Sequence, residues 1–265
     1  MKPLLRHWKK IKQQLECRPL FLFLDYDGTL APIAATPGQA QMAKETRALL
    51  ATLSKAANIK IAIMSGRSLK DVQEKVGLKN IIYSGNHGLE IEGPQIAFAS
   101  LVAPAFKKIL LRIYRALKKK TATVKGVLIE DKGFSLSVHY RLVDKAKIPM
   151  VKKLFHDEIS TYLIANQVAV KTGKMVLEIR PPLAWHKGKA VLWLLTRQRF
   201  ALCDDAVMPI YVGDDVSDED AFKALHEQGL TVFVGRQKAS SAQYFLHDTR
   251  EVTEFLKRIN ALRKE

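Results

Sequence analysis

The chain has 265 residues, 48% of them apolar and 26% charged, enough for one large domain or a medium domain carrying a smaller one, and the balance argues for a soluble protein. No apolar run approaches the ~20 residues that span a bilayer. No signal-peptide pattern follows the basic first nineteen residues, and two cysteines, Cys17 and Cys203, are too few for a disulfide framework. A cytoplasmic protein without membrane contact is the expectation. The formal charge of +17 is uneven: residues 104–184 hold 17 Lys and Arg against 6 Asp and Glu, and the remainder carries only +6. Such asymmetry points to an anionic partner, a nucleic acid or a phosphorylated small molecule, or to a solvated lysine-rich surface.

In chain order, Leu4, Trp8, Ile11 and Leu15 share one helical face, so a short amphipathic helix opens the chain. Leu20-Phe21-Leu22-Phe23-Leu24 has the length and uninterrupted apolarity of a strand buried on both faces of a parallel sheet. It ends at Asp25-Tyr26-Asp27-Gly28-Thr29. A loop through Gly38 and a helix to about Ala57 follow. A second buried strand, Ile59 to Met64, ends at Ser65-Gly66-Arg67; a helix over 68–76 and a strand over 81–84 come next. This alternation is that of an open, doubly wound sheet.

The pattern then changes. His87 to Phe98 reads as a hairpin turning at Glu92-Gly93-Pro94, followed by a basic helix over 103–119. Strands over 123–130 and 134–139, a helix over 147–165 and strands over 168–171 and 175–179 give the order of an inserted antiparallel α+β domain. From His186 the βα alternation resumes: a helix to about Phe200, a strand from Met208 to Val212, the acidic loop Gly213 to Asp220, a helix, a strand over 230–234 and a terminal helix over 250–263. The expected fold is therefore an α/β, doubly wound parallel-sheet core of residues 1–102 and 185–265, with an inserted antiparallel α+β cap domain of residues 103–184.

Four polar sites fall at strand C-termini or at the start of a helix facing that edge: Asp25/Asp27, Ser65, Lys187 and Asp214/Asp215. In open α/β sheets ligands bind along this edge. The pentapeptide from Asp25 alone also suits a plain turn. Gly213-Asp214-Asp215 repeats the arrangement after Ile210-Tyr211-Val212, however, and two carboxylate clusters on neighbouring strands repel each other unless a cation lies between them. Mg²⁺, a hard ion held by oxygen ligands, is the natural choice.

Leu24-Asp25-Tyr26-Asp27-Gly28-Thr29-Leu30 resembles the first motif of the haloacid dehalogenase superfamily, Ser65-Gly66-Arg67 the second, Lys187 the third and Gly213-Asp214-Asp215 the fourth. Within it, the chain is similar to the trehalose-6-phosphate phosphatases. The finer matches are Pro32-Ile33, Asn86-His87-Gly88 with Glu90, Glu130-Asp131-Lys132-Gly133 leading to His139-Tyr140-Arg141, and Leu177-Glu178-Ile179-Arg180-Pro181. Trp185-His186-Lys187-Gly188-Lys189-Ala190 and Tyr211 to Phe222 complete the set, and the likeness covers about residues 20–258. One departure is Ser217, where the family usually has threonine; the hydroxyl is retained.

The resemblance implies a phosphomonoesterase acting on trehalose 6-phosphate. Asp25 would be the nucleophile and Asp27 the acid and base; Ser65 and Lys187 would bind and neutralise the phosphoryl group. Mg²⁺ would be held by Asp25, Asp214 and the backbone carbonyl of Asp27, with Asp215 and Asp218 supporting that arrangement. Arg67, Asn86, His87, Glu130, Lys132, Arg141, Lys174 and Glu178 would contact substrate, the last five on the inserted domain, where surface salt bridges are the plainer alternative. A sugar phosphate is the expected partner. A related phosphatase for sucrose or mannosyl phosphates stays open, as does a non-catalytic nucleic-acid-binding module; the latter is disfavoured because no aromatic residues interleave the lysines. A monomer is the default.

Overall fold

The computed structural model describes residues 1–100, 104–236 and 239–262. Its chain begins with a two-residue strand, Lys2–Pro3 (β1), a 3-10 turn and helix Trp8–Leu15 (α1). Leu4, Ile11 and Leu15 are fully buried, so the amphipathic face docks on the core of its own chain.

The next elements are Leu20–Asp25 (β2), Lys44–Leu53 (α2), Ile59–Met64 (β3), Leu69–Val76 (α3), Ile82–Gly85 (β4), Glu90–Gly93 (β5) and Ile96–Ala99 (β6). The helix expected to run to Ala57 stops four residues earlier, and Lys55 to Asn58 form the turn that returns the chain to the sheet. Helix α3 is capped at both ends by local chemistry: the Ser68 side chain accepts from the Asp71 N–H, and Gly77 takes the left-handed conformation that closes the helix (φ 63°).

A second stretch holds Pro104–Lys120 (α4), Leu128–Asp131 (β7), Leu136–His139 (β8), Ile148–Ile164 (α5), Ala169–Gly173 (β9) and Val176–Arg180 (β10). The chain then forms Lys187–Leu202 (α6), Met208–Gly213 (β11), Glu219–Leu225 (α7), Leu230–Val234 (β12), Tyr244–Leu246 (β13) and Thr249–Ala261 (α8). The expected boundary at 102/103, the expected helix start at 103 and the expected helix end at 263 lie outside the described residues.

Two units divide the chain, one of Met1–Ala99 with Trp185–Glu265, the other Ser100–Ala184. The first is built on a nine-stranded sheet in the order β1-β13-β12-β11-β2-β3-β4-β5-β6. Its strands are parallel from β1 to β4, and β5 and β6 pair antiparallel at one end. Alternation along β2 assigns its residues to two cores. Leu20, Leu22 and Leu24 pack with Ile61, Ile63, Ile210 and Val212 against α1, α2, α3 and α8. Phe21 and Phe23 pack with Met64 and Tyr211 against α6 and α7. A strand covered on both faces needs apolar side chains along its covered length, and Leu20 to Leu24 of β2 supply them.

The second unit is a four-stranded antiparallel sheet, β7-β8-β10-β9. One face sets Leu136, Val138, Leu177 and Ile179 against Ile113, Leu117, Val151, Phe155 and Ile159 of α4 and α5. The other face is polar, as expected of an antiparallel sheet covered on one side.

Candidate active site

Because β2, β3, β4 and β11 run parallel, their C-terminal ends lie on one edge of the sheet. Residues distant in sequence meet there: Asp25 ends β2, Ser65 follows β3, Asn86 follows β4 and Asp214 follows β11. Lys187, the first residue of α6, is almost fully buried and donates hydrogen bonds to Asp25 Oδ1 (2.6 Å) and Asp218 Oδ1 (2.7 Å). Asp218 is the centre of this group. It also accepts from the Tyr211 hydroxyl (2.7 Å) and, at Oδ2, from the backbone N–H groups of Asp214 (3.0 Å) and Asp215 (2.9 Å).

The electrostatics follow from burial. Loss of solvent pushes the Asp25 carboxyl well above the usual carboxylate range; Lys187 opposes this, and the charges of Asp218 and Asp214 add to it. Burial works against the Lys187 ammonium, but Asp218 and Asp25 prevail and raise its pKa. The Tyr211 hydroxyl is raised by burial and then by Asp218 and Asp25, so it stays a donor.

Carboxylate atoms of Asp25, Asp214 and Asp218 lie within 4.8 Å of one another, all three residues buried. Three carboxylates against one ammonium leave two negative charges, which a divalent cation matches. A carboxylate offers about four lone-pair sites, and four protein donors already occupy those of Asp218, so Asp25 and Asp214 are the side chains with capacity for a metal. Two further features fit. Asp215 forms a capping box with Asp218, yet its Oδ1 is buried without a hydrogen-bond partner among the described residues. Gly28 turns past Asp214 with φ 87°, and any Cβ there would collide with the Asp214 carboxylate.

Asp27 is arranged differently. Its carboxylate points to Arg67, which donates from Nε to Oδ2 and from an NH2 proton to Oδ1, both at 2.6 Å. Arg67 also donates to Asp71 Oδ2 (2.6 Å) and the Pro37 carbonyl (2.8 Å). Ser65 is buried, and its Oγ accepts from the Arg67 N–H (3.1 Å), which keeps its hydroxyl proton available to a ligand. Asn86 and His87 both have positive φ, at 49° and 57°. They are tied to the Ser65 loop through Asn86 N–H to the Arg67 carbonyl (2.7 Å) and His87 N–H to the Ser65 carbonyl (2.9 Å). The His87 ring lies against Gly66, where a Cβ would approach Nε2 to 2.5 Å. Trp185 packs on Phe98 and donates to the Gly88 carbonyl (2.7 Å), so it is a packing residue.

In the second unit, strand register lines up Glu130, Ser137, Glu178 and Lys171 across the polar face. Glu178 accepts from Lys132 (3.1 Å), Ser135 (3.2 Å) and Arg180 Nε (2.6 Å), and Glu130 bonds His139 (2.9 Å). Lys174 sits in the turn between β9 and β10, where its carbonyl accepts from Arg141 (3.1 Å).

The trehalose-phosphatase family model matches residues 23–250. The chain belongs to the trehalose-phosphatase family. A probable trehalose-phosphate phosphatase 4 of Oryza sativa subsp. japonica is 39% identical over 261 residues, covering 96% of this chain and 70% of the rice protein. Trehalose-phosphate phosphatase B of Arabidopsis thaliana is 37% identical over 254 residues, 91% of this chain and 66% of its own length. The C-terminal domain of a C. albicans trehalose-6-phosphate phosphatase superposes with a TM-score of 0.83 at 27% identity, covering 98% of this chain and 99% of that one.

For a trehalose-phosphatase family member, sequence reasoning found the strand-end residues and missed the contacts that organise them. The Tyr211 hydroxyl carries no local signal, because a tyrosine in an apolar strand reads as core. Asp71 reads only as a helix-start acid, and its place one turn beyond Arg67 is the sole hint of their pairing.

Proposed function

We propose that the protein hydrolyses trehalose 6-phosphate to trehalose and inorganic phosphate through an aspartyl-phosphate on Asp25. The observation that carries this reading is the buried Asp25–Lys187–Asp218 chain beside Asp214, in a chain that matches the trehalose-phosphatase family over most of its length. A carboxylate of Asp25 attacks phosphorus, and the bond between phosphorus and the sugar oxygen breaks. The electron pair stays on that oxygen, which takes a proton from the acid form of Asp27, regenerated in each turnover when Asp27 takes a proton from the attacking water. Asp27 then removes a proton from water as the water oxygen attacks the acyl phosphate. The Asp25 carboxylate departs with its electrons, and inorganic phosphate is released.

Lys187 neutralises charge beside the nucleophile, and Ser65 donates its hydroxyl proton to a phosphoryl oxygen. Asp25, Asp214 and the Asp27 backbone carbonyl are the groups to hold Mg²⁺, with Asp215 and Asp218 fixing their geometry. When bound, that ion supplies positive charge for the phosphoryl oxygens. Asn86 and His87 brace the Ser65 loop within reach of substrate. The second unit acts as the substrate-selecting cap, with Glu130, Lys132, Arg141, Lys174 and Glu178 pairing with sugar hydroxyls. Every residue named comes from one chain, so a monomer suffices. Among the described residues no helix is long and apolar enough to cross a membrane; the substrate is charged, and we take the cytoplasm as the place of action.

A phosphate-release panel over the phosphates of trehalose, sucrose, glucose and mannosylglycerate tests the reading. Trehalose 6-phosphate is expected to give the highest kcat/KM. Asp25→Asn is expected to abolish turnover and phosphoenzyme labelling while the circular dichroism spectrum is kept. Preference for another ester overturns the substrate assignment, and a tenth of wild-type turnover in Asp25→Asn overturns the nucleophile.

A further inference from the structure

We infer that Arg67 is a positioning residue for the Asp27 carboxylate and does not read the substrate's phosphate. The inference rests on the phosphomonoesterase reading above. A guanidinium has five N–H donors in a fixed fork. In Arg67 four are committed inside the protein: two to the Asp27 carboxylate, one to Asp71 and one to the Pro37 carbonyl. The side chain is only 6% exposed, and its guanidinium carbon lies 5.3 Å from the centre of the Tyr26 ring. A phosphate seeking this guanidinium must first displace a carboxylate held by two 2.6 Å bonds.

The local structure shows how the fork is fixed. The Arg67 backbone is pinned on both sides, its N–H to Ser65 Oγ and its carbonyl by the Asn86 N–H. Asp71 is four residues on, in the first turn of α3, and α3 is itself started by the Ser68 cap. Pro37 brings a third anchor from the loop after β2. The guanidinium is thus held from three directions and passes that order to Asp27. Asp27 is partly exposed, with 41% of its side chain open to solvent, and has no other hydrogen-bond partner among the described residues to fix its rotamer. Proton transfer depends steeply on the placement of the donor, so a residue that only fixes Asp27 affects protonation of the leaving oxygen and activation of the water, and leaves attack by Asp25 intact.

Arg67→Lys keeps the charge and loses the fork. The experiment measures kcat and KM of Arg67→Lys on trehalose 6-phosphate and on p-nitrophenyl phosphate, in the wild-type and the Asp27→Asn backgrounds. The p-nitrophenolate leaving group departs without a proton. On the sugar phosphate we expect kcat to fall about tenfold or more, within the range of general acid–base catalysis, with KM changed less than about threefold. On p-nitrophenyl phosphate kcat/KM, which reports only transfer to Asp25 and not the later Asp27-assisted hydrolysis, should change less than about threefold. In the Asp27→Asn background the same substitution should have little further effect, because residues that act through one another are non-additive. Asp71→Asn, which loosens the fork without touching Asp27, should shift the two substrates in the same unequal way and to a smaller degree.

A rise in KM on both esters with kcat unchanged overturns the inference in favour of phosphate binding. An undiminished loss in the Asp27→Asn background overturns it in favour of a structural role, and so does an equal loss of kcat/KM on both esters. The wild-type panel reports separately on the substrate assignment. If another sugar phosphate is preferred there, the cycle is run on that ester with the same outcomes.

Discussion

Asp218→Asn is the sharpest test of how the site is held together. Asp218 is fully buried and its two oxygens serve four donors: Lys187 and Tyr211 at Oδ1, the N–H groups of Asp214 and Asp215 at Oδ2. The amide replaces one acceptor oxygen by an NH2 group. Turned toward the backbone, it faces two N–H groups and loses both bonds. Turned toward the side chains, it lets the Tyr211 hydroxyl rotate and accept, but sets an N–H against the Lys187 ammonium. Hydrogen bonds to charged groups are worth about 1.5–3 kcal/mol each, so the second arrangement costs less, about 2–4 kcal/mol once the lost charge opposite Lys187 is included. Domain stabilities run only to about 5–15 kcal/mol, so urea unfolding followed by circular dichroism resolves the loss easily. Activity should fall by about 10–100-fold, typical of removing a group that orients metal ligands, since the Asp214 and Asp215 backbone and Lys187 lose a shared anchor. Stability within about 1 kcal/mol of wild type would refute the account of Asp218 as the organising acceptor.

Three further outcomes follow from named contacts. Chelation of divalent ions should abolish phosphate release, and Mg²⁺ should restore it better than Ca²⁺, whose looser coordination suits this small set of ligands less well; full activity in excess chelator would exclude the metal assignment. Asp248 caps α8 by accepting from the Arg250 and Glu251 N–H groups, and Asp248→Ala should lower stability by about 1 kcal/mol at neutral pH. Pairing with the Arg250 side chain, and then the helix N–H groups, holds the Asp248 carboxyl below its ordinary value. The folded-state pKa is therefore depressed: the charge-dependent stabilisation is present above the unfolded value of about 3.9 and is lost as pH falls through the folded one. Wild type and Asp248→Asn should accordingly converge in stability in strong acid, and a constant gap down to about pH 2 would contradict the charge-dependent part of the cap. Glu178→Gln, which preserves shape among Lys132, Ser135 and Arg180 but removes the charge that holds both cations, should reduce activity on trehalose 6-phosphate by about tenfold or more on the proposed cap reading, because hydrogen bonds to charged groups are worth about 1.5–3 kcal/mol each. Activity on p-nitrophenyl phosphate should change less than about threefold, and equal losses on the two esters would make Glu178 purely structural.

The sequence by itself determined the longer strands and which polar residues stand at their ends. Five apolar residues followed by Asp25 have the length and apolarity of a strand covered on both faces, and in a parallel sheet every such strand presents its last residue to the same edge. Asp25, Ser65 and Asp214 were therefore legible as one site from hydrophobic runs and the charges that end them. The stretches from Ile59, apolar but for Lys60, and from Met208 were placed to within a residue for the same reason. Strands β1 and β13 were not legible, because two or three residues carry no period; they exist only because each finds a neighbour's open edge, Lys2 beside Tyr244. The partnerships inside the site also waited for the fold. Arg67 meets Asp27 across 40 positions and Lys187 meets Asp25 across 162, and no local propensity links residues so far apart. For Glu178 the sequence left a substrate contact and a salt bridge both open; the fold sets it between Lys132, Ser135 and Arg180. Burial pattern is a property of each segment and survives in one dimension. Which donor reaches which acceptor depends on strand order and pairing, and these come into being only when the chain closes on itself.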